Sequence, residues 1–382
     1  MSRCSDGATT AGTSPRRHSD SMNSTRESSP SETGRRIIRR TRRFGLSALV
    51  VFLLAISMTS VLSCSESGEE GASGAGSAEK MKVVSTVSPI TSLVENVGGT
   101  RIRLEGIVPE GVNSHTFEPA PSVATVLAEA DLIVLNGLFL EEPSLEMARA
   151  NRKAGAIILT LGDKAITRDQ WVFDFSFPEG DGHPNPHLWT SPDLAIKYAD
   201  LVRAELTALD PDNADYYAEN FAKLEERLND LDERIAAAAN TIPPENRKLL
   251  TYHDSFPFFS TRYGFEIIGA VQPSDFSEPS AREVATLIDQ VRETGVPAVF
   301  GSEVFPSPVM EQIAKEGGAK FVDQLRDDDL PGSHGDPGHS YMGLMASNIQ
   351  IMVPALGGSA DAMDGFDTGP VFEGESNALY PE

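Results

Sequence analysis

The chain has 382 residues, 40% of them hydrophobic, enough for one large domain or two of ordinary size. Its formal charge of −24 argues against nucleic acid as a partner, because phosphate binding needs clustered Lys and Arg. The two cysteines, Cys4 and Cys64, fall outside the expected folded body, which excludes a disulfide framework and a cysteine-based zinc site.

Charge is unevenly placed. Residues 1–63 hold ten Arg against four Asp or Glu, a net of +6, which leaves −30 for residues 64–382. Residues 1–34 are rich in Ser, Thr, Gly and Arg and are expected to be disordered. An arginine-rich segment from Arg35 to Arg43 precedes a mostly apolar run, Phe44 to Leu62, and then Cys64. That order reads as a signal peptide, and Val61-Leu62-Ser63-Cys64 resembles the bacterial lipobox, in which the cysteine becomes lipid-modified. The alternative is a retained transmembrane anchor. Both readings put the remainder outside the cytoplasmic membrane, with residues 64–80 as a flexible tether.

From Met81 the texture is that of an α/β protein. Lys82–Ser85 reads as a strand, and Ser88-Pro89 as the cap and first residue of a helix that stops at Gly98-Gly99. Residues 101–108 form a second strand leading to His115, and a helix follows from Pro121. Leu132–Leu135 and Ala156–Leu161 are strands on either side of a helix over 142–154. Residues 163–186 break the alternation as a long acidic loop that holds His183 and is closed by His187-Leu-Trp189. Ser191-Pro192 opens the next helix, and Asp210-Pro211 interrupts it. Beyond it Tyr217, Phe221, Leu224, Leu228, Leu231 and Ile235 recur at helical spacing, within a stretch roughly 40 Å long as a helix. A second α/β series follows Pro243-Pro244. Its expected strands are Lys248–Tyr252, Phe265–Val271, Ala298–Phe300 and Lys320–Val322, and a capping box Ser280-x-x-Glu283 opens one of its helices. Residues 326–339 form an acidic, glycine-containing loop, and 340–355 a last helix.

The expected organisation is therefore a lobe over 81–209, a linking helix over 210–242, a second lobe over 243–356, and a disordered acidic tail over 357–382. Each lobe is a mostly parallel sheet flanked by helices.

Four polar residues occupy the same kind of place. His115 and His187 stand in loops of the first lobe, while His253 and Asp323 follow expected strands of the second. Ligand groups in open α/β sheets gather beyond the carboxyl ends of strands, so two facing lobes could bring these four to one cleft. Three imidazoles and a carboxylate suit Zn²⁺, with Mn²⁺ tolerated less well. Taken singly, His253 could equally be a core or capping histidine and Asp323 a loop aspartate. His183, His334 and His339 read as solvated loop histidines.

Residues 81–355 resemble the solute-binding lipoproteins of zinc and manganese ABC importers, the ZnuA/TroA/PsaA type. The resemblance rests on His-x-x-Glu-Pro at His115 to Pro119, Asn-Pro-His-x-Trp at Asn185 to Trp189, His253-Asp254 before an aromatic helix, and Lys320-Phe-Val-Asp323-Gln-Leu followed by Ser340-Tyr341-Met342. It implies metal ligands His115, His187, His253 and Asp323, a rigid linking helix, and an ABC permease with a cytoplasmic ATPase as partners. The protein would be a monomer anchored through Cys64, with Zn²⁺ as cargo and Mn²⁺ as the alternative. Members resembling manganese binders carry Glu at the third ligand position and zinc-type members His, as here at 253. Two departures stand out: Asn113-Ser114 replaces the common Asp-Pro, and Pro257 replaces a common glycine. Glu118 and Glu303 are candidate partners that orient an imidazole, with ordinary salt bridges as the alternative. A surface-adhesin role, a label attached to some members, has no separate support in the residues. The rival from another class is a secreted zinc hydrolase with Asp323 or Glu303 as general base, although no His-Glu-x-x-His motif is present.

Overall fold

The computed structural model describes residues 79–304, 308–375 and 378–381. The readings of residues 1–63 and of Cys64 lie outside them.

Two four-stranded parallel sheets form the body. The first takes β1 (Met81–Ser85), β2 (Ile102–Gly106), β3 (Leu132–Leu135) and β4 (Ile157–Thr160) in the order β2-β1-β3-β4. Its helices are α1 (Ser88–Gly98), α2 (Val123–Glu129), α3 (Glu142–Asn151), the short α4 (Leu161–Ala165) and α5 (Pro192–Leu209). After the long α6 (Ala214–Asn240) comes the second set: β5 (Lys248–Thr251), α7 (Pro257–Tyr263), β6 (Glu266–Ala270), α8 (Ala281–Thr294), β7 (Ala298–Ser302), α9 (Pro308–Gly317), β8 (Lys320–Leu325) and α10 (Tyr341–Ala355). Its sheet order is β6-β5-β7-β8. Parallel strands need helical crossovers, which cover both faces and explain why β3 is buried at every residue.

α6 joins the two sheets. Its stripe of Tyr217, Leu224, Leu228, Leu231 and Ile235 is fully buried, and Phe221 lies at its half-buried margin. The stripe packs against α1, α5 and α10, and each buried leucine contributes about 1.5–3 kcal/mol. One apolar cluster runs through both lobes, from Val83 and Leu132 in the first sheet to Val299 and Phe300 in the second. A smaller cluster around Leu127, Ile133 and Leu145 fills the other face of the first sheet.

Local signals hold in detail at α8, where the Ser280 hydroxyl accepts from the Glu283 amide and the Glu283 carboxylate accepts from the Ser280 amide at 2.7 Å. At α1 the expected cap shifts by one residue. Val87 occupies the cap without a side-chain bond, and Ser88 is already helical.

The tail expected to be disordered is instead packed along the body wherever it is described. Arg227 of α6 pairs with Asp367 at 2.9 Å, and Arg234 donates to the carbonyl of Ala362 at 2.8 Å. The Val371 amide donates to Asn96 Oδ1 at 3.0 Å, and Met363, Val371, Phe372 and Ala378 are buried. At its end, Leu379 bridges in parallel to Glu105 of β2, receiving the Gly106 amide and donating to the Leu104 carbonyl. β2 is an edge strand, so the tail covers an otherwise open edge. Long-range pairing of this kind leaves no trace in local composition.

Candidate metal centre

His115, His187 and His253 converge. His187 Nε2 lies 3.2 Å from His115 Nε2 and 2.9 Å from His253 Nε2. Each comes from a segment that follows a strand of its sheet: β2, β4 and β5 in turn. The two departures in the first motif both serve this placement. Asn113 Oδ1 accepts from the His115 amide at 2.9 Å and fixes a tight turn, while Ser114 Oγ donates to Asp328 Oδ2 at 2.6 Å.

The outer nitrogens of two imidazoles are held. His187 Nδ1 lies 2.8 Å from Asn185 Oδ1, and His253 Nδ1 lies 2.6 Å from Gln272 Oε1. Asn185 is itself oriented, because its amide nitrogen donates to Asp174 Oδ2 at 3.0 Å and to the Asp254 carbonyl at 2.5 Å. Each Nδ1 therefore carries the proton and each Nε2 presents a lone pair. Burial, with the neighbouring rings adding to it, holds His115 and His187 well below the ordinary histidine range, and burial lowers His253 as well. The lone pairs of His187 and His253, facing one another at 2.9 Å, repel. A cation at their centre converts that repulsion to ligation, and tetrahedral zinc–nitrogen bonds would set the nitrogens about 3.3 Å apart.

Asp323 is not among the carboxylates that group with these imidazoles. β8 continues for two residues past it, to Leu325, and leaves Asp323 exposed within the strand. The loop that follows delivers Asp327 and Asp328 instead, both buried, and they group with His187 as metal-competent oxygens. Asp327 Oδ2 stands 3.7 Å from His253 Nε2, and both Asp327 oxygens and Asp328 Oδ1 are buried with no hydrogen-bond partner among the described residues. Burial raises Asp328 to about 7, and the Asp327 charge adds to it; burial likewise raises Asp327 to about 6. A cation beside them would favour their charged forms.

Glu303 positions this loop. Its Oε1 accepts the amides of Asp327 at 3.0 Å and Asp329 at 3.1 Å, so it orients the aspartates rather than an imidazole. Trp189 of the second motif donates to the Asp327 carbonyl at 2.9 Å. Glu118 is exposed, and no partner among the described residues connects it to the centre. Sequence reasoning missed the roles of Asp327, Asp328, Gln272 and Ser114; the run Asp327-Asp328-Asp329 in the acidic loop is a signal that could have found the first two.

Aromatic rings cover the centre. Phe276 stacks on His115 with centroids 4.6 Å apart, and Phe177 lies 5.5 Å away on the same ring. Phe276 adopts φ 57°, a left-handed conformation costly for an aromatic residue, and that conformation aims its ring at the imidazole. Beside them a cavity of ≈ 80 Å³ reaches His115 past Leu138, Phe139 and His183. His183 is not in the cluster; it stacks on Phe139 at 4.2 Å.

The sequence model of the family described as zinc-uptake complex component A, periplasmic (ZnuA) matches residues 83–355. The chain is 28% identical over 274 residues to the metal ABC transporter substrate-binding lipoprotein FimA of Streptococcus parasanguinis, covering 70% of this chain and 86% of that protein. It is 26% identical to the manganese-binding lipoprotein MntA of Halalkalibacterium halodurans, covering 69% and 84%. Among solved structures, the periplasmic zinc binding protein TroA from Treponema pallidum superposes with a TM-score of 0.66 at 26% identity, over 72% of this chain and 99% of that one. The hydrolase alternative falls here. Asp323 is exposed and outside the histidine group, one Glu303 oxygen is committed to two backbone amides, and the matching proteins are metal-binding proteins, FimA among them a transporter's substrate-binding lipoprotein. The chain belongs to the ZnuA family of periplasmic solute-binding proteins, and it is a metal-binding component of an ABC-type importer rather than an enzyme.

Proposed function

We propose that the protein captures Zn²⁺ outside the cytoplasmic membrane and delivers it to the permease of an ABC importer driven by a cytoplasmic ATPase. The ligands are His115, His187, His253 and one carboxylate of the Asp327–Asp328 pair. The observation that carries this reading is the convergence of three Nε2 atoms, two of them with lone pairs oriented through Asn185 and Gln272. Three nitrogens and one oxygen favour a borderline-soft ion over the harder manganese, and four protein ligands leave no position for an activated water. The lipid anchor at Cys64, the flexible tether over 64–80 and a monomeric state belong to the same reading, supported by the lipobox-like run Val61-Leu62-Ser63-Cys64.

Competitive titration of the purified protein with zinc and manganese tests the metal. Zinc should bind at one high-affinity site per chain and displace manganese. A preference for manganese would overturn the use made of His253, and zinc affinity unchanged in both His115→Ala and His253→Ala would sink the whole assignment.

A further inference from the structure

A larger cavity, ≈ 370 Å³, is bounded by Glu95 and Asn96 of α1, by the loop from His334 to Ser340, and by Pro370, Phe372 and Glu375 of the tail. His339 lines it with a side chain only 2% exposed. Neither ring nitrogen of His339 has a hydrogen-bond partner of normal geometry among the described residues. What surrounds the ring is oxygen: Glu110 Oε1 stands 3.7 Å from Nε2, and the carbonyls of Pro331 and Gly332 lie near. A neutral imidazole has one N–H and one lone pair. These oxygens can accept the N–H, but none of them can donate to the lone pair. Burial works against the doubly protonated form.

A second imidazole stands beside the first. His334 is exposed, and its ring centroid lies 5.8 Å from that of His339, compared with 5.1 Å for His115 and His187 in the metal centre. Both rings rest against Tyr380, at 5.1 and 4.9 Å, and the Tyr380 hydroxyl is committed to Glu95 Oε2 at 2.6 Å. The tail thus walls the cavity and backs both histidines, and it lies beyond the residues that the family match covers.

We propose that His334 and His339, with Glu110 as the oxygen ligand, form a second site for a divalent transition-metal ion of the zinc class. Two imidazoles and a carboxylate leave coordination positions to water, so the ion exchanges readily. His334, on the solvent side, turns by a rotamer to close on it. The site holds zinc more weakly than the three-histidine centre, because one of its ligands is not preformed.

Equilibrium dialysis against Zn²⁺ tests this with the full chain and four variants: His115→Ala/His187→Ala, the same pair with His334→Ala added, the same pair with His339→Gln added, and His334→Ala alone. Thermal melts confirm that each is folded. The native protein should bind two zinc ions, His334→Ala one, and the His115→Ala/His187→Ala pair one, which His334→Ala and His339→Gln each remove. With Co²⁺ as probe, the pair should give visible absorption that disappears with His334→Ala. The proposal fails if the folded pair binds no zinc, or if its residual zinc is untouched by both His334→Ala and His339→Gln. Failure of the first centre reads differently: zinc binding would then survive His115→Ala/His187→Ala undiminished.

Discussion

A histidine ligates through a deprotonated nitrogen, so the partner of its other nitrogen sets its competence. Gln272 has that role for His253, at 2.6 Å. Gln272→Ala should therefore lower zinc affinity by roughly 10–100-fold with all proposed ligands intact, measured by chelator competition; an unchanged affinity would show that Gln272 merely fills space. The Asp327–Asp328 pair gives a sharper test, because the sequence pointed to Asp323. Asp327→Asn/Asp328→Asn should weaken zinc binding strongly, and Asp323→Asn, altering an exposed strand residue, should leave it alone. The reverse result would return the ligand role to Asp323. The sign of the pH effect follows from the same carboxylates. Their proton affinities are raised, to about 6 for Asp327 and about 7 for Asp328, so as pH falls through that range the metal must expel a proton and apparent affinity falls. The three imidazoles are shifted down, so they add less to the slope than ordinary histidines would. Zinc titrations from about pH 5.5 to 8 should show this dependence in the native protein and lose most of it in Asp327→Asn/Asp328→Asn. Equal slopes in both would place the proton elsewhere.

At the scale of elements, the pattern of strands and helices was legible because the local signals agree: apolar runs bounded by glycine, proline at helix starts, and a true capping box at Ser280. The error at Asp323 has a physical origin. β8 is the edge strand of its sheet, where one side tolerates polar residues, so Asp323 and Gln324 looked like the end of a strand that runs on to Leu325. A three-residue difference in strand length moved the expected ligand out of the cleft. The loop between β6 and α8 carries another feature that pattern reading cannot supply, the left-handed Phe276 stacked on His115. A ring held in that conformation shields the imidazole from water, so its removal should act on release more than on capture. Phe276→Ala should speed zinc dissociation several-fold in stopped-flow chelation while the stoichiometry stays the same. An unaltered dissociation rate would mean that Phe177 and the neighbouring loop already close the centre.

At the scale of the molecule, one apolar cluster passes through both lobes along α6, and the tail crosses back over the same body to reach β2. The two are not equivalent in what they hold. The family match ends at Ala355, so the tail lies outside what the family model describes. The tail adds buried Met363, Val371 and Phe372, each contributing up to about 1.5–3 kcal/mol, set against the entropy of ordering roughly twenty residues of backbone. It also fastens to functional segments: the Glu110 amide, five residues before His115, donates to the Pro381 carbonyl at 3.2 Å. Ending the chain after Ala360 should therefore leave a folded protein with a melting temperature lower by several degrees, and with zinc affinity at the three-histidine centre changed only a few-fold. Complete unfolding on truncation would make the tail part of the core rather than an addition to it. A melting curve identical to that of the full chain would mean that the contacts from Arg227, Asn96 and Glu95 to the tail contribute nothing net in solution.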